Sequence, residues 1–444
     1  MREEPVCHQI VPPLFCSGRG VFYCFLNVKE LEKLRDFFIQ GQELWNHLKT
    51  LPQDQHPTVV FNAHITGLAI SRALGKEDIP VIALDRDGRA VGLQSKYVHT
   101  AALCPNPFTE EAAFIELLME MGRRLPKKGV LFPCNDEWVL LVSKYRSTLE
   151  DYYLFPFAEW DNVESLLNKR KLYKKAASLN IPIPATWYPE EFEGNYPEDL
   201  PFPCIVKPVE QRSFYEAFQT KAFVADSEDE LKRILHSVTE HEVVIQDIIS
   251  NSLSDFYSLC TYTDIHGEIK GQFIGRKLEQ YPLNFGTGCL VESAEGDRFV
   301  PHGAEILKAQ GYYGIAETEF VYDKRDDTYK LLDVNTRVWK WIGLPIFSGV
   351  NLPLLAYKEA IGFKEEPQYP ALSYSKWVYF DDYLKVKQER PGTYHGHLSD
   401  EELAAVLSGE TSPQIIEAVN SSEDPAPSVQ QVKNKFNQGY VCPC

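Results

Sequence analysis

The stretch from Gly314 to Trp339, GIAETEFVYDKRDDTYKLLDVNTRVW, constrains this chain more than any other. Two strand-like runs, Ile315–Tyr322 and Tyr329–Val334, flank a charged turn. On a strand, residues two apart face the same way. Asp333, Asn335 and Arg337 are therefore expected on one face, with Glu319 joining them from the neighbouring strand. Two carboxylates and an amide oxygen suit Mg²⁺, a hard cation that usually shares its shell with phosphate and water. An arginine two residues on can hold a phosphate or an acyl phosphate. Any one of these acids alone reads as charge on a wet strand face. The combination is far more specific.

Bulk properties exclude several classes. The chain has 444 residues, enough for two or three packed domains. With 45 basic and 63 acidic residues its net charge is −18, a surface that repels nucleic acid and anionic membrane. An anionic substrate then needs a local basic cluster. No apolar run approaches the roughly 20 residues of a membrane helix. The N-terminus, MREEPVCHQIVPP, lacks a secretory signal, so a cytoplasmic location is expected. Ten cysteines are scattered along the chain and read mostly as buried thiols; the terminal Cys442 and Cys444 have no partner pair at zinc-site spacing.

Residues 1–56 read as an N-terminal extension with a helix over about Val28–Leu51, interrupted at Gly41. Residues 57–160 alternate strand and helix and predict a parallel, Rossmann-like sheet. Its first loop, NAHITG, lacks the glycine fingerprint of dinucleotide binding, and Asp85 matches the ribose-binding acid only in position. One helix there, starting near Glu110, is expected to be capped by Thr109. Residues 161–250 hold a basic helix ending before Asn180, a buried strand delivering Lys207, and a second strand, VVIQD. Residues 251–371 hold a hairpin around Gly267 and the acidic stretch above. Residues 372–444 form a C-terminal extension with a helix capped by Ser399 and Glu402.

The order of motifs now carries a resemblance. NK-x₂-LY with N-I-P-I-P-A-T, then C-I-V-K-P, V-I-Q-D-I-I, G-R-K-L-E-Q-Y-P and finally E-x₁₃-D-x-N-x-R run over about residues 57–362. This order resembles the ATP-grasp superfamily, whose usual metal motif is E-x-N-x-R; Asp333 stands where Glu is usual. The phrases GRKLEQYPLNFGTGCLVES and GVNLPLLAYKEAIG, with the late DPAP at Asp424–Pro427, are similar to carboxylate–amine ligases of the D-aspartate ligase-like group. The implied fold is α/β and α+β: an N-terminal Rossmann-like domain, a small ATP-grasp subdomain and a large ATP-grasp subdomain with the metal site.

The resemblance implies roles residue by residue. Lys169 and Lys207 look like the two nucleotide lysines, and a pair from different elements can clamp a polyphosphate. Gln246 and Asp247 fall at the hinge that meets adenine, within the apolar run Val244–Ile249. Asp255 falls where an acid holds ribose. Lys277, with Arg276 as its alternative, would meet the transferring phosphate, and Arg337 would complete the cluster. Gly286 and Gly288 would let backbone approach an anion. Glu319, Asp333 and Asn335 would hold Mg²⁺. The loop after Lys207, VEQRSFYEAFQT, has no glycine and suggests a bulky lid using Arg212 or Lys221. Asn135, Asp136 and Glu137 stand at a strand end from which they could face the cleft, with a helix cap as the stronger reading for Asp136.

The implied activity is ATP-dependent: a carboxylate becomes an acyl phosphate, then takes an amine, often an amino acid, releasing ADP and phosphate. The cofactors would be ATP and Mg²⁺, and the partners a small carboxylate and an amine. Two other readings share the same nucleotide site. One phosphorylates an enol or hydroxyl before amino-acid addition, as in mycosporine-type ligases; the other binds nucleotide without catalysis. Many relatives are dimers, which leaves a homodimer open.

Overall fold

The apolar run at Thr58–Phe61 is strand β1, and four more strands pair with it in parallel: β2 (Val81–Asp85), β3 (Thr100–Leu103), β4 (Gly129–Pro133) and β5 (Tyr153–Leu154). Their order is β3-β2-β1-β4-β5. Alternation along β1 sends side chains to two cores. Val59 and Phe61 pack with Phe114, Leu118 and Trp138. Val60 packs with Leu68, Ile342 and Leu355. Both faces of the sheet are thus covered, which suits its near-continuous apolar strands. The computed structural model describes residues 43–436 except 193–195, 250–251, 373, 391–396, 411 and 413. Most of the expected N-terminal helix lies outside those residues; 43–48 is helical.

A small antiparallel sheet follows: β6 (Thr186–Trp187), β7 (Cys204–Pro208), β8 (Phe223–Ala225) and β9 (Val243–Asp247), in the order β6-β9-β7-β8. The largest sheet takes β10 (Phe256–Thr263), β11 (Ile269–Tyr281), β12 (Thr287–Ser293), β13 (Gly314–Asp323) and β14 (Thr328–Asn335). Two short strands of the segment expected as a C-terminal extension, β15 (Lys376–Val378) and β16 (Ile415–Glu417), extend this sheet. That segment also reaches back to the parallel sheet. Buried Asp424 accepts from Arg72 Nε at 2.9 Å, Ser95 Oγ at 2.7 Å and Lys96 N at 2.9 Å.

Local chemistry explains most boundaries. The Ser399–Glu402 capping box is present, and Gly409 closes that helix at φ +69°. Thr109 does not cap its helix. Phe108 N donates to Asn106 Oδ1 at 3.0 Å and Asn106 N to the Glu110 carboxylate, so a side-chain turn occupies that place and the helix begins at Glu111. The five described cysteines, Cys104, Cys134, Cys204, Cys260 and Cys289, are free and buried; Cys442 and Cys444 lie outside the described residues. No helix among the described residues is long and apolar enough to cross a membrane.

Candidate active site

The register of β13 against β14 sets Glu319 opposite Asp333 and Glu317 opposite Asn335. A bulge after Glu319 supplies one extra residue on β14, and Phe320, Leu331 and Val334 turn to the core beneath. The expected polar face therefore exists, and it carries a carboxylate that sequence reading missed, Glu317. Its signal was there: Glu317 and Glu319 are two apart, so one face must hold both.

Polar contacts knit this face together and tie it to three other elements. Asn335 Nδ2 donates to Glu317 at 3.0 Å and Glu319 at 3.1 Å. Ser258 Oγ on β10 donates to Glu317 at 3.0 Å. Burial first, and the Glu319 charge second, raise the Glu317 pKa above the carboxylate range. Lys169 Nζ donates to Asp333 at 2.6 Å. Burial alone would push Asp333 upward, but Lys169 holds its pKa below the ordinary value. Lys277 Nζ on β11 stands 3.9 Å from Glu319.

Lys169 arrives there because Asn168 caps its helix, accepting from Lys171 N, while Leu172, Tyr173 and Ala176 are buried along one stripe. Lys207 arrives on β7. Its neighbours Cys204 and Val206 enter the small sheet's core, so Ile205 and Lys207 face the cleft. Lys207 Nζ donates to Gln246 Oε1 at 2.9 Å, and Gln246 Nε2 donates to Thr186 Oγ1 at 2.9 Å. Desolvation, with Lys169 nearby, lowers the Lys207 pKa to about 8.

The other predicted residues divide between the cleft and its surroundings. Adjacent strand residues face opposite ways, and Arg276 pairs with Glu292 on the far face of β11 (Nε to Oε1, 2.7 Å) and does not line the cleft. Gln246 is wholly buried and spends its side chain on Lys207 and Thr186. Asp247 lines the cleft but pairs with Arg325 at 2.6 Å. Asp255 is buried, pairs with Lys324 at 2.8 Å and does not line it. Lys324 and Arg325 form the charged β13–β14 turn, which sequence reading treated as a connector. Val244 and Ile245 enter the cores, leaving Ile248 and Ile249 as apolar lining.

The glycine-free loop is a helix, Gln211–Phe218, anchored by Phe214 against Phe218 and Phe223. Lys221 follows it and approaches Thr287 Oγ1 on the opposite rim at 3.5 Å; the Arg212 side chain lies outside what the structure describes. Gly286 answers to its own turn: a Cβ there would meet Pro282 O at 2.0 Å. Asn135 caps the following helix by accepting from Trp138 N. Asp136 instead takes Arg337 in a two-pronged pair, Nε at 2.7 Å and Nη2 at 3.1 Å. All these elements surround one cavity of about 2850 Å³.

The donor set fits a magnesium ion that shares its shell with phosphate. Among the described residues no three His, Cys, Asp or Glu side chains close on a ready-made metal position. Lysine ammonium groups stand beside Asp333 and Glu319, and a dication with its phosphates would replace one set of cation contacts by another.

No family model matches the chain. It is 26% identical to D-aspartate ligase from Enterococcus faecium over 263 residues, covering 55% of this chain and 62% of that protein, a little under two thirds of its length. Among solved structures, L-amino acid ligase from Bacillus licheniformis superposes with a TM-score of 0.57 at 17% identity, covering 72% of this chain and 79% of that one. Biotin carboxylase from Campylobacter jejuni, solved as a βγ-ATP complex, gives 0.60 at 15% identity, covering 72% and 74%. The chain has the ATP-grasp fold. In sequence it is a relative of D-aspartate ligase, as the motif order implied.

Proposed function

We propose that the chain is an ATP-dependent ligase that activates a small-molecule carboxylate as an acyl phosphate and joins it to an amine, releasing ADP and phosphate. One observation carries this reading. Lys169, Lys207 and Lys277 reach the same cavity as the acidic β13–β14 face. A metal-polyphosphate complex needs both signs of charge at close quarters, and a protein of net charge −18 does not otherwise attract polyphosphate.

In this reading Lys169 and Lys207 hold the nucleotide phosphates. Ile248 and Ile249 supply apolar contact for the base. Lys277 and Arg337 spread the charge that develops on the transferred phosphoryl group. Glu319, Asp333 and Asn335 would hold Mg²⁺, which when bound neutralises phosphate charge. The substrate carboxylate attacks the terminal phosphorus and ADP leaves; the amine then attacks the acyl carbon and phosphate leaves. The helix Gln211–Phe218 and Lys221 overhang the cavity and limit water access to the acyl phosphate.

The deciding experiment is an ADP-release screen of purified protein with Mg-ATP across paired amino acids and small carboxylic acids. Amine-dependent ADP and phosphate are expected in equal amounts. AMP with pyrophosphate, or Mg-ATP binding with no turnover on any pair, would reject the reading. Transfer of ¹⁸O from a labelled carboxylate to phosphate separates acyl activation from enol or hydroxyl phosphorylation.

A further inference from the structure

The strand order β3-β2-β1-β4-β5 reverses between β1 and β4. Open parallel sheets hold ligands in the crevice at the carboxyl ends of such strands. Here that crevice opens into the cavity of the candidate active site. Asp136, which grips Arg337, follows β4. Asn62 follows β1, Thr66 lies in the first turn of the helix Ile65–Gly75, and Arg86 follows β2. All four line the cavity.

Hydrogen bonds and close packing tie down the loop after β1. Asn62 adopts φ +62°. Ala63 N donates to Asp85 Oδ2 at 2.7 Å, and Gly92 N donates to Ala63 O at 2.7 Å. Gly67 packs so closely that a Cβ would lie 2.5 Å from Asn62 O. This explains Asp85: it is 1% exposed, ties backbone together and does not line the cavity. Asn62 is 5% exposed and Thr66 4%, yet neither side chain makes a hydrogen bond within the described residues. Both residues line the cavity, so their polar groups are open to hydrogen bonding by a molecule that enters it.

Charge points to what that is. The helix Ile65–Gly75 has no side-chain cap and no acid in its first turn, so its amides favour an anion. Arg86 is exposed, lies over the Phe108 ring at 5.5 Å and makes no ion pair among the described residues. Neighbouring strands are about 4.8 Å apart, so these groups stand roughly 5–10 Å across the sheet edge from the anchor of Arg337. That is the length of a short aliphatic chain.

Resting on the ligase reading, we propose that Asn62, Thr66 and Arg86 form an oxyanion subsite. It takes a second anionic group, carboxylate or phosphate, at the end of a substrate remote from the atom that reacts beside Arg337. The substrate is then a short molecule charged at both ends.

Calorimetric titration of the full chain saturated with Mg-ADP tests this, using succinate against succinamate and O-phospho-L-serine against L-serine. Wild type is expected to bind the charged member of one pair at least about tenfold more tightly, and Arg86→Gln and Thr66→Val to lose that preference. A response in the first pair alone identifies a carboxylate, in the second alone a phosphate. Equal binding within both pairs by wild type, or a preference that survives in Arg86→Gln, overturns the proposal. Failure of wild type to bind Mg-ADP would sink the nucleotide reading instead; the same pairs, titrated without nucleotide, still decide the subsite.

Discussion

The two ends of the cleft are built on opposite plans. At the β13–β14 end charges meet charges: Lys169 with Asp333, Lys277 near Glu319, Arg337 with Asp136. At the β1–β2 end, among the described residues, Asn62 and Thr66 have no side-chain hydrogen-bond partner and Arg86 makes no ion pair. The first end is held in shape by ion pairs that a ligand must exchange. The second is held by backbone: Asp85 on Ala63, Gly92 on Ala63, and the close approach of Gly67. Substitutions at the first end should therefore change chemistry, and those at the second should change selection.

The largest expected effect follows directly. Glu319→Gln keeps the side chain's size but removes the charge facing Lys277. ADP formation should fall about 10³-fold, roughly 4 kcal/mol of transition-state stabilisation, with the melting temperature little changed. Turnover within a few-fold of wild type would break the comparison, because the charged end would then not be the chemical one.

Next comes a variant that loosens the other end. Asp424 is 1% exposed and gathers Arg72, Ser95 and Lys96 beside the parallel sheet. Asp424→Asn leaves Arg72 without its counter-charge and should cost about 3 kcal/mol of stability. Denaturant melts should show the loss, while Mg-ADP affinity of the folded protein stays near wild type. An equal loss of nucleotide affinity would mean that the two ends are not separable.

Asp136 joins the ends and should give a smaller, diagnostic effect. Its pair with Arg337 is partly exposed, so breaking it costs less than a buried pair would. Asp136→Asn should lower kcat about 30-fold, near 2 kcal/mol, with the KM for Mg-ATP unchanged. Asp136→Glu should recover part of that loss. A purely structural role would instead lower stability and move both constants together.

How much of this was legible in sequence depends on the range of the interaction. Period-two spacing placed Glu319, Asp333, Asn335 and Arg337 on one side because strand geometry is local. Facing rules also favoured Lys277 over Arg276. Partners over 60 residues apart were not legible: nothing near Asp136 announces Arg337, and nothing near Asp247 or Asp255 announces the basic turn at Lys324 and Arg325. Glu317 was readable by the same period but was overlooked beside the motif. Asn62 carries no chemical motif. Its left-handed backbone follows from the packing of Gly67, which only the fold reveals.

The finest test concerns one proton. Desolvation lowers Lys207 to a pKa of about 8, so in the ligand-free protein its charge is present below that pH and lost above it. A polyphosphate stabilises the ammonium form. Binding Mg-ADP should then draw a proton onto Lys207 between about pH 8 and pH 9, and affinity should fall by at most about tenfold for each pH unit above 8. Titrations in two buffers of different ionisation enthalpy measure that uptake. Glu317 also titrates abnormally nearby, so the assignment needs a control. Arg stays charged throughout this range, and Lys207→Arg should abolish both the uptake and the decline. Proton uptake that persists in Lys207→Arg would move the effect to the acidic face, and the nucleotide end would then be tuned by its carboxylates.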